Sequence, residues 1–344
     1  MIAQTNVSTF SGNASPGFTN GNISTATFNM PFGMCRDKHE NIYVADGGNH
    51  CIRKITPEGI VSTYAGTGIA GYKDGAKEEA QFNSPTNLCV DDSGNVYVSD
   101  FENHCIRKIT SIGKVITIAG SGVAGFLDGA ASLAKFDFPR GICMDKKGNA
   151  YVGDSWNHRI RKIDPKGNVT TYAGGGNVMG DESVGSYVDA KDTAARFYTP
   201  CGLAIDKAGN IFVADAYNHR IRKISTDRMV TTVCGSGPTG KGKGGYADGD
   251  FANAIFNTPT EIAISPQGDI YISDTFNHMV RKLDLKGVVS IIAGNGKAGF
   301  TNGAGTDAQF DFPRSVVLDE THNKLYVTDF KNNAIRLISL YEKK

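Results

Sequence analysis

Six aspartates set a period in this chain: Asp46, Asp100, Asp154, Asp215, Asp274 and Asp329, spaced by 54, 54, 61, 59 and 55 residues. Each belongs to a near-copy of one stretch, seen most fully at residues 149–174, NAYVGDSWNHRIRKIDPKGNVTTYAG. A truncated sixth copy, KLYVTDFKNNAIRLISL, starts at Lys324. Self-similarity at such a period means one supersecondary unit repeated, each copy burying its apolar face on the next.

In the first copy, Ile42, Tyr43 and Val44 form a short β-branched and aromatic run. An Asp-x-x-Asn-His turn breaks it, and a second run starts at Ile52. A turn containing Pro and Gly at residues 56–59 leads into Val61-Ser62-Thr63-Tyr64-Ala65, which Gly66 ends. Upstream of each copy, Pro-x-x precedes a further apolar run such as Leu203-Ala204-Ile205. Four short strands per repeat, with turn signals between them and no helical period, describe a β-propeller blade. An open β-solenoid would need far shorter repeats. The sixth copy has only three strands, and Val7-Ser8-Thr9-Phe10-Ser11-Gly12 reads like the missing fourth. The expected fold is therefore all-β: a six-bladed propeller of four-stranded antiparallel blades in one domain over residues 1–344. Residues 7–12 complete the last blade and close the ring, which removes the open edge of a linear stack.

The pattern Pro-x-Gly, then Asp-x-x-Gly-Asn, then Tyr-Val-x-Asp-x-x-Asn-His-x-Ile-Arg-Lys resembles the NHL repeat family in a variant with long glycine-rich connections. The resemblance covers the whole chain. It implies a six-bladed propeller but no single function, since such propellers bind proteins, RNA or glycans, and distant six-bladed relatives are lyases, lactonases and hydrolases.

Composition narrows the choices. Lys and Arg number 36 against 35 Asp and Glu, a net charge of +1, so no global field favours nucleic acid or an anionic membrane. No run of eighteen apolar residues would form a membrane-crossing helix. The N-terminus lacks a charged-then-apolar leader pattern, so the compartment stays open between a cytoplasmic protein and a secreted domain with its signal removed. Cys35, Cys89 and Cys143 stand where Ala204 and Ala263 stand in other blades, which reads as small buried hydrophobes. The odd total of seven cysteines fits free structural thiols and mildly favours a reducing compartment.

Strand alternation puts three features on one face, the connection face: the Asp-x-x-Asn-His turn, the segment between blades, and the Pro-x-x approach to the channel. The other face carries only tight turns. Features present in every blade build the scaffold. On that rule the inter-blade aromatics (Phe18, Tyr72, Phe126, Tyr187, Tyr246, Phe300) anchor loops. His50, His104, His158, His219 and His278 belong to turns, and the Arg-Lys pairs read as solvated strand charges or partners of turn carboxylates.

Departures from the six-fold pattern are the functional candidates. The connections between blades run 19 residues at 12–31, 66–85, 120–139 and 294–313, but 26 at 174–200 and 24 at 235–259. The longer two carry Asp181 with Glu182, and Lys241 with Lys243. Two residues after the periodic Asp stand Gly48, Glu102, Trp156, Tyr217, Phe276 and Lys331, which places three aromatics side by side on blades three to five. After the inner-strand Pro come Phe32, Thr86, Arg140, Cys201, Thr260 and Arg314, followed by Gly33, Asn87, Gly141, Gly202, Glu261 and Ser315. Arg140 and Arg314 are expected opposite one another at the channel mouth with Glu261 between them, able to hold a carboxylate or phosphate.

The leading expectation is a non-catalytic binding or scaffold propeller. Its protein or glycan partner would engage the connection face over blades three to five, through Trp156, Tyr217, Phe276, Arg140, Arg314, Glu261, Lys241 and Lys243. No cofactor, metal site or catalytic residue is expected. The alternative is a lactonase-like hydrolase or lyase with its site in the central channel, though Glu261 and Asn87 supply too few ligands for a metal there. RNA binding is a second alternative that the near-neutral charge disfavours.

Overall fold

The protein is described by a computed structural model covering residues 5–175 and 185–340. Among the described residues, six antiparallel sheets stand in a ring, and the inner strands pack side by side around it. Blade three shows the pattern, with strands Pro139–Met144, Ala150–Asp154, Arg159–Ile163 and Asn168–Ala173 running from the channel outwards. In every blade except the fourth, the incoming connection adds a two-residue strand to the outer edge, such as Gly129–Ala130 on blade three. Among the described residues, no helix is long and apolar enough to cross a membrane.

Closure occurs as the sequence suggests. Thr5–Gly12 pairs antiparallel with Ala334–Leu340, the third strand of blade six, from Thr5 opposite Leu340 to Gly12 opposite Ala334. The glycine ending each fourth strand has positive φ, 103° at Gly66, and a Cβ there would sit only 3.0 Å from Cys51. Only glycine meets both demands without strain. The core consists of separate clusters between neighbouring blades. Cys143 and Tyr151 of blade three, for instance, pack against Leu203, Val213 and Phe197 of blade four and its approach.

The periodic Asp and Arg form the internal frame of each blade. In blade one Asp46 accepts from the Asn29 amide (2.8 Å), Asn49 Nδ2 (2.8 Å) and Arg53 Nη1 (2.9 Å). Arg53 also donates to the carbonyls of Thr27 and Thr19 and to Asn20 Oδ1. Its guanidinium lies between the rings of Phe18 and Phe28, each 5.1 Å from its centre. The same box recurs with Arg107, Arg161, Arg222, Arg281 and Arg336, and all six arginines are fully buried. Of the two readings of the Arg-Lys arginines, the one as solvated charges is corrected and the one as partners of turn carboxylates holds. Burial is tolerated because the planar guanidinium finds a carboxylate, several carbonyls and two aromatic faces. The inter-blade aromatics do anchor loops, by covering these arginines.

A second device links blade to blade. Each Asp-x-x-Asn-His turn is a single 3-10 turn ending in a left-handed His. That His accepts, at Nδ1, the amide of the residue before the next blade's inner-strand Pro. The distances are 3.1 Å for His50 from Ser84, 3.2 Å for His158 from Thr199 and 3.0 Å for His219 from Thr258. At the join from blade six to blade one, Asn333 Oδ1 does the same for Met30 at 2.9 Å.

Candidate functional site

The face carrying these turns and the inner-strand prolines also carries the aromatic candidates. Trp156, Tyr217 and Phe276 occupy equivalent places in the 3-10 turns of three successive blades, and each donates its amide to the segment before the inner strand. Each ring rests on a ring beneath it: Trp156 on Phe138 (centroids 4.4 Å apart), Tyr217 on Tyr198 (5.2 Å), Phe276 on Phe312 (4.8 Å). Trp156 and Tyr217 are half-buried, while Phe276 is 44% exposed. Each of the three rings is thus packed against a second ring and keeps part of its surface exposed. The corresponding turns of the other blades present Gly48, Glu102 and Lys331.

The longer connection at 235–259 packs against this platform. Gly240 donates its amide to the Tyr217 carbonyl (2.7 Å), and its own carbonyl bonds His219 Nε2 (2.8 Å). With Nδ1 of His219 accepting from Thr258, Nε2 carries the proton and donates. Lys241 and Lys243 lie exposed on this loop, the Lys241 ammonium 6.0 Å from the Tyr217 ring centre. Asp181 and Glu182 of the other long connection lie outside the described residues.

At the channel, the residue layers separate groups that the sequence suggested were together. Arg140 and Arg314 stand in the outer layer, on the inner strands of opposite blades three and six. Glu261 stands one layer deeper and turns away from them. Its carboxyl makes a very short bond across the channel with Asn87 Nδ2 of blade two, on the opposite side of the ring. Gly202 makes room for it, since a Cβ there would lie 2.2 Å from Glu261 Oε1. Burial pushes the Glu261 carboxyl up to about 8, against which the Ile262 amide and Asn87 act only weakly. Glu261 and Asn87 close the channel midway and floor a cavity of about 470 Å³ that opens on the other face. That cavity is lined by Cys35, Cys89 and Cys143 together with Met34, Met144 and Arg36.

The sequence therefore misplaced Glu261, which does not lie between the two arginines. The sign of its partner was present in Asn87 at the equivalent place three blades away, but nothing local says that the two side chains meet. All seven cysteines are free thiols, and the burial of Cys143 lifts its thiol far above the ordinary range. Among the described residues, no three of His, Cys, Asp and Glu come together where they could hold a metal ion.

Comparison with known proteins agrees with the repeat. The NHL repeat pattern matches residues 28–55, 82–109, 136–163 and 197–224. The chain is 31% identical over 283 residues to Protein SUPPRESSOR OF QUENCHING 1, chloroplastic, of Arabidopsis thaliana, covering 78% of this chain and 26% of that protein. It is 31% identical over 307 residues to human NHL repeat-containing protein 2, covering 80% of this chain and 42% of that one. The chain thus spans less than half the length of these relatives. A solved Bacteroides thetaiotaomicron protein of unknown function superposes with a TM-score of 0.73 at 21% identity, over 97% of this chain and 76% of that one. That likeness bears on the fold alone.

Proposed function

The chain belongs to the NHL-repeat family, and on that premise we propose that its propeller is a binding module for a protein or glycan partner, engaged through the connection face over blades three to five. One observation carries the reading. Three aromatic rings occupy equivalent turns of adjacent blades, each packed against another ring and each at least partly exposed. Aromatic groups fixed in this way lose little rotamer freedom on binding and offer large faces to apolar side chains or sugar rings. Lys241 and Lys243 would supply a polar rim.

The test compares the parent protein with Trp156→Ala and a Trp156/Tyr217/Phe276 triple-alanine variant, in capture from source extract and on a glycan array. Loss of a specific partner with the melting temperature nearly unchanged is the expected result. A fall of many degrees for Trp156→Ala would make Trp156 a structural residue and end the reading.

The rival reading, an enzyme of the six-bladed lyase or lactonase kind, rests on Glu261. A buried carboxyl that keeps its proton near neutrality at the floor of a cavity has the character of a general acid. Turnover of a lactone or ester panel by the parent, lost in Glu261→Gln, would favour it.

A further inference from the structure

Among the described residues, the six blade arginines and Arg36 show what this chain does with a buried or part-buried guanidinium near a carboxylate, and Arg140 and Arg314 do otherwise. Each of the six blade arginines meets an aspartate and backbone carbonyls. The part-buried Arg36, at the other end of the channel, pairs with Glu40 and Asp319. Arg140 and Arg314 have no such partners. Among the described residues, Arg140 makes one polar contact, Nη1 to the Cys201 sulfur at 3.5 Å, and the Arg314 guanidinium donates no hydrogen bond. The Nε atoms of both are buried without an acceptor, as are those of Arg53, Arg281 and Arg336, but the blade arginines use their Nη atoms on oxygens and these two do not. Neither makes an ion pair with any described carboxylate, and Glu261 is committed to Asn87.

Neither arginine ties down a loop carbonyl, which is the usual structural use of an arginine at such a junction. Instead each lies on aromatic faces. Arg140 sits 5.2 Å from the Phe101 ring centre, and Arg314 sits 5.0 Å and 5.1 Å from those of Phe32 and Phe330. These rings fix the two side chains without spending their forks of N–H donors. Burial, followed by the charge of Arg140, pulls the Arg314 guanidinium down to about 10, so the two cations act on each other across the mouth. Two half-desolvated like charges held in place without an anion raise the energy of the empty site, and an anion between them relieves it.

We infer that Arg140 and Arg314 are the two jaws of a clamp for an oxyanion, a carboxylate or phosphate group, at the connection-face mouth of the channel. The oxyanion comes either as a small free ion or as an acidic group carried by a partner docked on the neighbouring aromatic platform. The clamp does not depend on that platform, because its donors come from the inner strands.

Isothermal titration of the parent protein in chloride buffer with inorganic phosphate, with acetate, and with an acidic peptide and its Gln-substituted counterpart tests the clamp. Total ionic strength is held constant throughout. Saturable phosphate or acetate binding is expected, weakened at least tenfold in both Arg140→Gln and Arg314→Gln and unaffected in Lys166→Gln on the opposite face. The Gln variants should melt no lower than the parent in chloride, since each removes a like-charge neighbour, and this also verifies their folding. Arg314→Lys keeps the charge but loses the fork, and should fall between parent and Arg314→Gln. If the acidic peptide outcompetes phosphate and its Gln counterpart does not, the group arrives on a partner. If only the small ions bind, the ligand is free. No saturable oxyanion binding by the parent, or binding by both Gln variants as tight as the parent's, overturns the clamp. Trp156→Ala retains phosphate binding even if it loses a macromolecular partner, so failure of the platform and failure of the clamp are told apart.

Discussion

The histidines of the Asp-x-x-Asn-His turns act as acceptors, and that fixes how they respond to acid. His50 Nδ1 takes the Ser84 amide at 3.1 Å, so the ring must be neutral for the bond between blades to exist. Burial holds His50, His104, His219 and His278 below their ordinary value of 6.5. A depressed native value means that the unfolded chain takes up protons first. The stability these rings contribute is present above about pH 6.5 and is lost as pH falls through the native values. The melting temperature should therefore drop on acidification below pH 6.5. His50→Ala should cost about 1–2 kcal/mol in urea unfolding at pH 7.5, from the lost bond and the left-handed backbone at φ 51°. His50→Asn should be nearly neutral there, because Asn333 already does this work at the sixth join. Glu261 acts in the opposite sense. Its carboxyl is raised from 4.5 to about 8, so its contribution is full below pH 4.5 and falls away as pH rises through 8. Glu261→Gln, which still accepts from Asn87, should melt above the parent at pH 9, with the gap closing at pH 5. The histidine turns were legible as turns in the sequence. Their role as acceptors was not, because the donor lies 34 to 41 residues on, in the next blade.

At the scale of the blade, the sequence displayed the frame without revealing where it lay. Alternating apolar runs, Gly-terminated fourth strands and a fixed Asp made the four strands readable, since each signal is local. The arginine seven residues after that Asp looked like any strand charge. The fuller signal was its company: an aromatic and an Asp or Asn before the inner strand, and a Phe nearer to it, in every repeat. A charged residue that always travels with two aromatics and a carboxylate is a candidate for burial. The energetics follow. Arg107→Ala leaves the Asp100 carboxylate buried beside Asn103 without its cation, and should cost about 3–5 kcal/mol in urea unfolding. Replacing the exposed Lys114 of the same blade with Ala should change stability by less than about 0.5 kcal/mol. Equal effects from the two substitutions would mean that the box is not what holds the blade. The channel arginines gave the reverse lesson. Their sequence positions were expected to ring the mouth, but their lack of partners depends on side-chain directions across the ring.

At the scale of the whole molecule, the ring is held shut by one strand from the far end of the chain. Thr5–Gly12 pairs with the third strand of blade six, and its outer side takes Gly303–Ala304 of the incoming connection. Val7 is buried with Ile338, Leu325 and Phe310 in the cluster between blades five and six. The Met30–Asn333 bond and the packing of Tyr326 of blade six against Phe28 and Met34 of blade one join the same two blades independently of that strand. Removing residues 1–12 therefore leaves the seam partly made but exposes the edge of Ala334–Leu340. The truncated chain should keep its β-sheet circular dichroism, unfold at lower urea concentration than any single substitution named above, and self-associate through that edge on size-exclusion chromatography. A synthetic peptide of residues 5–12 should reverse both effects by refilling the edge, whereas the same peptide with Val7→Asp should not, because its charge would enter the apolar cluster. A truncated chain that stays monomeric with unchanged urea resistance would show that blade packing alone holds the ring. The closing strand would then be an ornament of the fold rather than its lock.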